Sequence, residues 1–257
     1  MNDNTIDGIG KTGMNLLARM SYEKDSLVDT ATVRKYLPDY KYIPQLLYSL
    51  RQKGVLKPVK RGLFLYTPLE SLKTGIKINE FLIPSIYLKS DEYYIGYGSA
   101  LNFYSLTEQI FQEMYVLNTR ISSKKIVDGN VVNFIKIRAE KLYGLSEIDV
   151  SGTKVKISDF ERTLVDMIYN PSPIGSIFTA IAILKSNLKR ADIEKLIAYT
   201  TLFPEIKTRK IMGMALEDFG ISERMLRPVA DSVKNSSLVS FRATRSGKIN
   251  NKWRVIE

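Results

Sequence analysis

Asp159, Glu161 and Asp166 fall close together in ISDFERTLVDMIYNP (157–171), the densest polar constellation of the chain. Three carboxylates at this spacing could hold a divalent cation, as in metal-dependent nucleases, because Mg2+ and Mn2+ take oxygen ligands. A plainer arrangement uses the same residues. Ser158 with Glu161 three positions on makes a capping box, Asp159 favours a helix N-terminus, and Arg162 can pair with Asp166 one turn later. Asp159, Arg162, Thr163 and Asp166 sit at i, i+3, i+4 and i+7, with Phe160, Leu164 and Met167 or Ile168 on another side, so the segment reads as a helix with one polar and one apolar face. Capping and pairing account for these charges without a metal. Composition removes other chemistry: the 257 residues include no histidine and no cysteine, hence no imidazole shuttle, thiol nucleophile, disulfide or His/Cys zinc site. No catalytic residue, metal or cofactor is expected.

The other residues with chemical potential are basic, and they are unevenly placed. The net charge is +11. Residues 1–68 carry 11 Lys and Arg against 6 acids, residues 234–257 carry 6 against 1, and the stretch between is nearly neutral. Between positions 34 and 61, Arg34, Lys35, Lys41, Arg51, Lys53, Lys57, Lys60 and Arg61 face only Asp39. Clustered cations of this kind are the footprint of a phosphate-backbone binder, although a solvated helix face has the same composition.

Three short helices are expected to position the first cluster. Met14, Leu17 and Ala18 predict a helix ending near Met20, and Asp29 or Thr30 caps a second helix that Pro38 stops. A third begins near Ile43, with Pro44 in its first turn and Gly54 at its C-terminal cap. Its stripe Ile43, Leu46, Leu47 and Leu50 faces a core, which leaves Lys41, Tyr42, Gln45, Tyr48 and Arg51 for phosphates and base edges. Val55 and Leu56, the turn KPVKRG, and Leu63 to Tyr66 then read as strand, basic turn, strand. Three helices followed by a hairpin carrying Lys57, Lys60 and Arg61 is the order of a winged helix-turn-helix, with the helix in the major groove and the wing on the backbone. A helical module for protein contacts has the same order. GIGKT (8–12) lacks the earlier glycine and the preceding strand of a phosphate loop.

The expected organisation is α+β: a winged helix-turn-helix over 1–68, a connector over 69–78, and a mixed α+β domain over 79–257. In the last of these, Ser99–Leu106 reads as a helix entered through Gly96 and Gly98. Met114–Leu117, Val131–Ile137 and Lys154–Ile157 read as strands, with a turn at Asp128-Gly129 between two of them. Helices are expected near 158–169, 174–186, 190–200, 204–219 and 222–234. The end of the chain reads as a hairpin turning at Gly247, where Arg242, Arg245, Lys248, Lys252 and Arg254 alternate with Phe241, Ile249, Trp253 and Val255. Such a ribbon suits a nucleic acid or an acidic protein, or it is an amphipathic hairpin whose tryptophan anchors a core. The longest apolar run, Ile174–Leu184, is too short for a membrane helix, and the polar start MNDNTIDGIGK carries no secretory signal, so the expected compartment is the cytoplasm.

Four segments together resemble the AbiE-type antitoxins of type IV toxin-antitoxin systems: KPVKRGLFLY (57–66), YIGYGSALNFYSLTEQ (94–109), ISDFERTLVDMIYNP (157–171) and SGKINNKWRVI (246–256). The most specific element is the Ser-Ala-Leu helix followed at this distance by the D-x-E-R-T-L-x-D helix. The resemblance implies a winged-helix domain that represses its own promoter on double-stranded DNA and a second domain opposing a nucleotidyltransferase-like toxin encoded beside it; an inverted operator would be read most easily by two copies. It also marks Asp159, Glu161, Arg162, Thr163 and Asp166 as the structural core of that second domain. Two other functions fit the residues alone: a ligand-responsive transcription regulator with no toxin partner, and a metal-dependent nuclease built on the Asp159 cluster.

Overall fold

A computed structural model describes residues 9–23, 27–66, 79–88, 92–127, 129–150, 152–240 and 247–256. Helices and sheets are both present, so the protein is mixed α+β. It divides into two compact units: Met1–Ile83 with Val127–Gly129 and Asp149–Lys154, and the remainder. The expected connector over 69–78 lies outside the described residues.

The first unit contains α1 (Lys11–Glu23), β1 (Leu27–Val28), α2 (Thr30–Tyr36), α3 (Ile43–Gln52), β2 (Leu56–Lys60) and β3 (Leu63–Tyr66). The strands form one sheet in the order β1-β3-β2. Helix α1 is longer than its sequence predicts, and its buried stripe is Gly13, Leu16, Leu17 and Met20. Met14 and Ala18, expected inside, are exposed, because the stripe is phased one position earlier. Asp29 caps α2, its Oδ1 accepting the Thr32 amide at 2.8 Å. Helix α3 ends in a Schellman motif: Val55 N–H donates to the Leu50 carbonyl and Gly54 N–H to that of Arg51, with Gly54 at φ 72°, a conformation that favours glycine.

The sheet corrects the expected hairpin. Lys57 to Lys60 belong to β2 rather than to a long basic turn, and only Arg61 and Gly62 make the reversal, Gly62 at φ 77°. Pro58 is tolerated because β2 is an edge strand and needs no donor on that side. A register irregularity between Pro58 and Lys60 sits next to it.

The division along the chain falls in α4 (Ile83–Tyr87). The chain continues with β4 (Tyr93–Ile95), α5 (Gly98–Phe103), β5 (Glu113–Asn118), β6 (Ser123–Val127), β7 (Asn130–Lys136), β8 (Leu145–Val150) and β9 (Thr153–Ser158). These strands form a six-stranded sheet in the order β6-β7-β5-β4-β9-β8, with β4 antiparallel to β5, β5 parallel to β7 and β4 parallel to β9. Three of them, β4, β6 and β8, are absent from the sequence expectation. The turn ending at Gly129 (φ 83°) therefore follows β6 instead of joining β5 to β7; Asp128 lies outside the described residues.

Five helices follow: α6 (Phe160–Tyr169), α7 (Ile177–Asn187), α8 (Ile193–Leu202), α9 (Ile206–Asp218) and α10 (Glu223–Val233). Their apolar faces meet in the largest core cluster, which includes Leu164, Leu184, Leu196, Leu216, Val229 and Trp253. The chain then forms β10 (Val239–Ser240), β11 (Ile249–Asn250) and β12 (Val255–Ile256). The terminal hairpin pairs β11 with β12, and β10 joins β12 in parallel. The turn between β11 and β12 lies at 251–254; Gly247 falls in the link between β10 and β11, which run in opposite directions without pairing, and 241–246 of that link lie outside the described residues. Asn250 Oδ1 accepts the Trp253 amide at 3.0 Å, a side-chain turn that Asn favours, and Arg254 takes φ 54°.

Candidate nucleic-acid interface

Helix α3 has two unlike sides. Ile43, Leu47 and Leu50 are buried and Leu46 is partly so, because the 3.6-residue period brings them to one stripe against α1, α2 and the sheet. Gln45, Tyr48 and Arg51, three residues apart, share an exposed side. Lys41 and Tyr42, which lead into the helix, are also exposed. Tyr42 and Tyr48 keep 63% and 61% of their surface in solvent, an arrangement that the unit's own core does not require. From Tyr40 to Gly62 the chain contains no Asp or Glu, so no carboxylate within the segment opposes its cations. Arg61 stands exposed at the reversal between β2 and β3, and Lys57 is half-buried on β2. Lys60 ends β2; its side chain lies outside the described set.

The Asp159 constellation is of a different kind. All of α6 from Glu161 to Ile168 is buried, so its polar side faces protein as its apolar side does. Arg162 is fully buried. Its Nε donates to Asp166 Oδ1 at 3.0 Å, Nη1 donates to the carbonyls of Lys141 and Tyr143 at 2.9 and 3.0 Å, and Nη2 donates to Tyr94 Oη at 2.9 Å. Tyr94 in turn donates to Asp166 Oδ2 at 3.0 Å. The guanidinium also lies 4.4 Å from the centre of the Tyr143 ring, a cation–π contact strengthened by exclusion of water. Burial pushes the Asp166 carboxyl up, while Arg162 and the Tyr94 hydroxyl pull it back. Burial also raises the Tyr94 phenol well above its usual value, with the Asp166 charge adding to it. Burial alone would lower Arg162, but Asp166 and the two phenols more than reverse this and keep it charged.

The expected capping box of Ser158 and Glu161 does not form. Asp159, not Ser158, caps α6, accepting the Arg162 amide at 2.9 Å, while Ser158 shares a hydrogen bond with Thr163 at 2.8 Å. Glu161 reaches away from its own helix to accept the Asp192 amide at 3.0 Å. Lys195 on α8 bridges Asp159 at 3.1 Å and Glu161 at 2.9 Å, and Tyr199 donates to Asp159 Oδ2 at 2.8 Å. Partial burial would lower Lys195, yet the two carboxylates raise it overall; Tyr199 is raised to about 12 by burial and by Asp159. Each of the three carboxylates is thus engaged by protein donors, and among the described residues no cluster of acids has the arrangement of a metal site. Tyr94, Lys141, Tyr143, Lys195 and Tyr199 complete this network and are missed from sequence, because nothing local to them announces a partner dozens of residues away.

Three of the basic C-terminal residues, Lys248, Lys252 and Arg254, are described, and all three are exposed. Lys252 pairs with Glu217 and Glu223. Arg242, Arg245 and Phe241 lie outside the described residues. Ile249, expected to face inward, is 49% exposed. Trp253 is fully buried, its indole against Gly213 of α9 and its Nε1 donating to Glu217 Oε2 at 2.6 Å.

No family profile and no curated protein matches the chain. Among solved structures, the crystal structure of the Rv2827c protein from Mycobacterium tuberculosis is similar, with a TM-score of 0.63 over 96% of this chain and 91% of that one, at 13% identity. At that identity the likeness is one of fold.

Proposed function

We propose that residues 9–66 form a winged-helix module that binds double-stranded DNA, with α3 in the major groove and the β2–β3 hairpin on the backbone. The observation that carries this reading is an exposed, acid-free stretch: Gln45, Tyr48 and Arg51 share the exposed side of α3, Lys41 and Tyr42 stand exposed at its entry, and Arg61 is exposed at the hairpin tip. Cations and hydroxyls there suit phosphates, and the Gln45 amide suits a base edge. We extend the proposal to a non-enzymatic antitoxin that represses its own promoter and opposes a nucleotidyltransferase-like toxin encoded beside it. That part rests on the resemblance to AbiE-type antitoxins; the buried network around Arg162 would serve as the framework of the antitoxin unit. The proposed setting is the cytoplasm, with two copies on an inverted repeat.

Two experiments test the halves separately. Titration of the DNA upstream of the coding sequence should give affinity falling steeply with salt, and Arg61→Ala should weaken binding to all sequences and reduce the salt slope by about 1. Gln45→Ala should instead change the preference among sequences. Unchanged binding in Arg61→Ala overturns the wing. For the second half, cells expressing the neighbouring gene are grown with and without the full chain. Restored growth supports antitoxin activity, and a toxic neighbour that the full chain leaves toxic removes it for that pair.

A further inference from the structure

The exposed side of α3 changes character along its length. Cations stand at its two ends, Lys41 just before the helix and Arg51 in its last turn, and both are exposed. Between them the outward residues Pro44, Gln45 and Tyr48 are uncharged and exposed, while Ile43, Leu47 and Leu50 are buried behind them. With the 3.6-residue period of the helix, Tyr48 points nearly opposite that buried stripe. Pro44 lies one turn before Tyr48, so the two rings are neighbours on the helix surface, and Gln45 stands three residues before Tyr48 on its other flank.

Base pairs differ in what they ask of a side chain. In the major groove guanine presents two acceptors, which Arg or Lys fills, and cytosine presents a donor, which a carboxylate accepts. Adenine presents a donor and an acceptor side by side, which a Gln amide matches, and thymine presents a methyl group, which an apolar surface covers. The middle of the α3 face holds an amide and two neighbouring rings, with neither a cation nor an acid among them. The cations sit where the ends of a helix lying in the groove approach the phosphates of the two strands. The face thus separates residues suited to positioning from residues suited to reading.

We infer that α3 selects adjacent A·T base pairs: the Gln45 amide pairs with adenine N6 and N7, and the Pro44 and Tyr48 rings cover the C5 methyl group of a neighbouring thymine. Three residues along a helix advance about 4.5 Å and one base pair about 3.4 Å, so the two side chains meet neighbouring pairs. The inference rests on the DNA-binding reading and adds to it the class of sequence that is bound and the residues that select it.

The test uses the full-length protein to select duplexes from a pool of random sequence at low salt, and the enriched duplex is then altered one group at a time. Its core should contain adjacent A·T pairs. Uracil in place of one core thymine removes only the C5 methyl and should weaken binding about three-fold or more, the worth of one covered methyl group. At the neighbouring pair 7-deazaadenine removes the N7 acceptor and should weaken binding about five-fold, the worth of one hydrogen bond. Tyr48→Ala should bind the thymine and uracil duplexes equally, and Gln45→Ala the adenine and 7-deazaadenine duplexes equally. Both residues are exposed, so the variants should fold, which their melting temperatures verify. Tyr22→Ala, which removes an exposed tyrosine from α1, should keep both preferences. Binding without sequence preference, a core of G·C pairs, indifference to uracil at every core thymine, or an effect that persists in its own variant overturns this inference and leaves DNA binding standing. A protein that binds no duplex at low salt overturns the DNA-binding reading and this inference with it.

Discussion

Replacing Arg162 by Met asks whether the α6 network is a structural unit. The guanidinium makes four hydrogen bonds, to Asp166, to the carbonyls of Lys141 and Tyr143 and to Tyr94, and it is fully buried itself. Methionine fills much of the volume and supplies no donor, so Asp166 is left as a buried carboxylate facing only a phenol. Removing one member of a buried ion pair costs about 3–5 kcal/mol. For a folding unit of this size each kcal/mol shifts the melting temperature by about 2–4 °C, so the expected fall is about 6–20 °C by differential scanning calorimetry. Adding Asp166→Leu removes the stranded charge, and the double variant should recover about 1–3 kcal/mol relative to Arg162→Met, a non-additivity expected of groups sharing one network. If Arg162→Met melts within 2 °C of the parent, or if the two substitutions simply add, the network is not mutually dependent and the reasoning fails. A second readout separates structure from recognition: below its melting temperature, Arg162→Met should bind DNA as the parent does.

Two further predictions concern the second unit. Tyr199 has its folded pKa raised from the ordinary value near 10 to about 12; its contribution to stability is present in full below pH 10 and is lost as pH rises through about 12. Urea melts between pH 9 and 12 should show this decline, to which the raised Tyr94 and Tyr143 phenols also contribute, and Tyr199→Phe should make it shallower; an equal slope in the variant refutes the assignment. Trp253, the single tryptophan, is buried against Gly213 and should emit at short wavelength. Trp253→Ala should cost about 3–5 kcal/mol. Gly213→Ala, which puts a methyl group into the indole, should shift emission to longer wavelength, and unchanged emission would contradict that packing.

How much of this was legible depended on where each element's contacts lie. Helix α3 was readable because its stripe, its Pro44 and its Gly54 are local signals that agree with one another. Strands β6 and β8 were not, because they are the edges of the six-stranded sheet. Lys124 and Lys125 on one and Glu147 and Asp149 on the other give them the composition of loops, as edge strands that must not pair with other chains often have. Strand β4 failed for the opposite reason: it is three residues long and wholly buried, so no alternation could mark it. In the site, the pairing of Arg162 with Asp166 followed from helical spacing, but the burial of that polar face did not. A polar stripe facing Tyr94, Lys141 and Tyr143 is identical in sequence to one facing water. The turn between β11 and β12 was not legible because no glycine or proline marks it; Asn250 makes it through its side-chain bond to the Trp253 amide.

The parallel pairing of β4 with β9, Ile95 beside Ile157, has a consequence in time. Closing that ladder brings together segments some sixty residues apart before any of their contacts reward the loss of chain entropy, and such topologies fold slowly. The first unit's helices and hairpin, by contrast, rest mainly on neighbours near in sequence. During synthesis it should become competent early, while the Arg162 network waits for Tyr94, Lys141 and α6 to meet. Over that interval a charged, unassembled α6 would stand exposed to chaperones and proteases, making the speed of this one closure a control on how much mature protein accumulates.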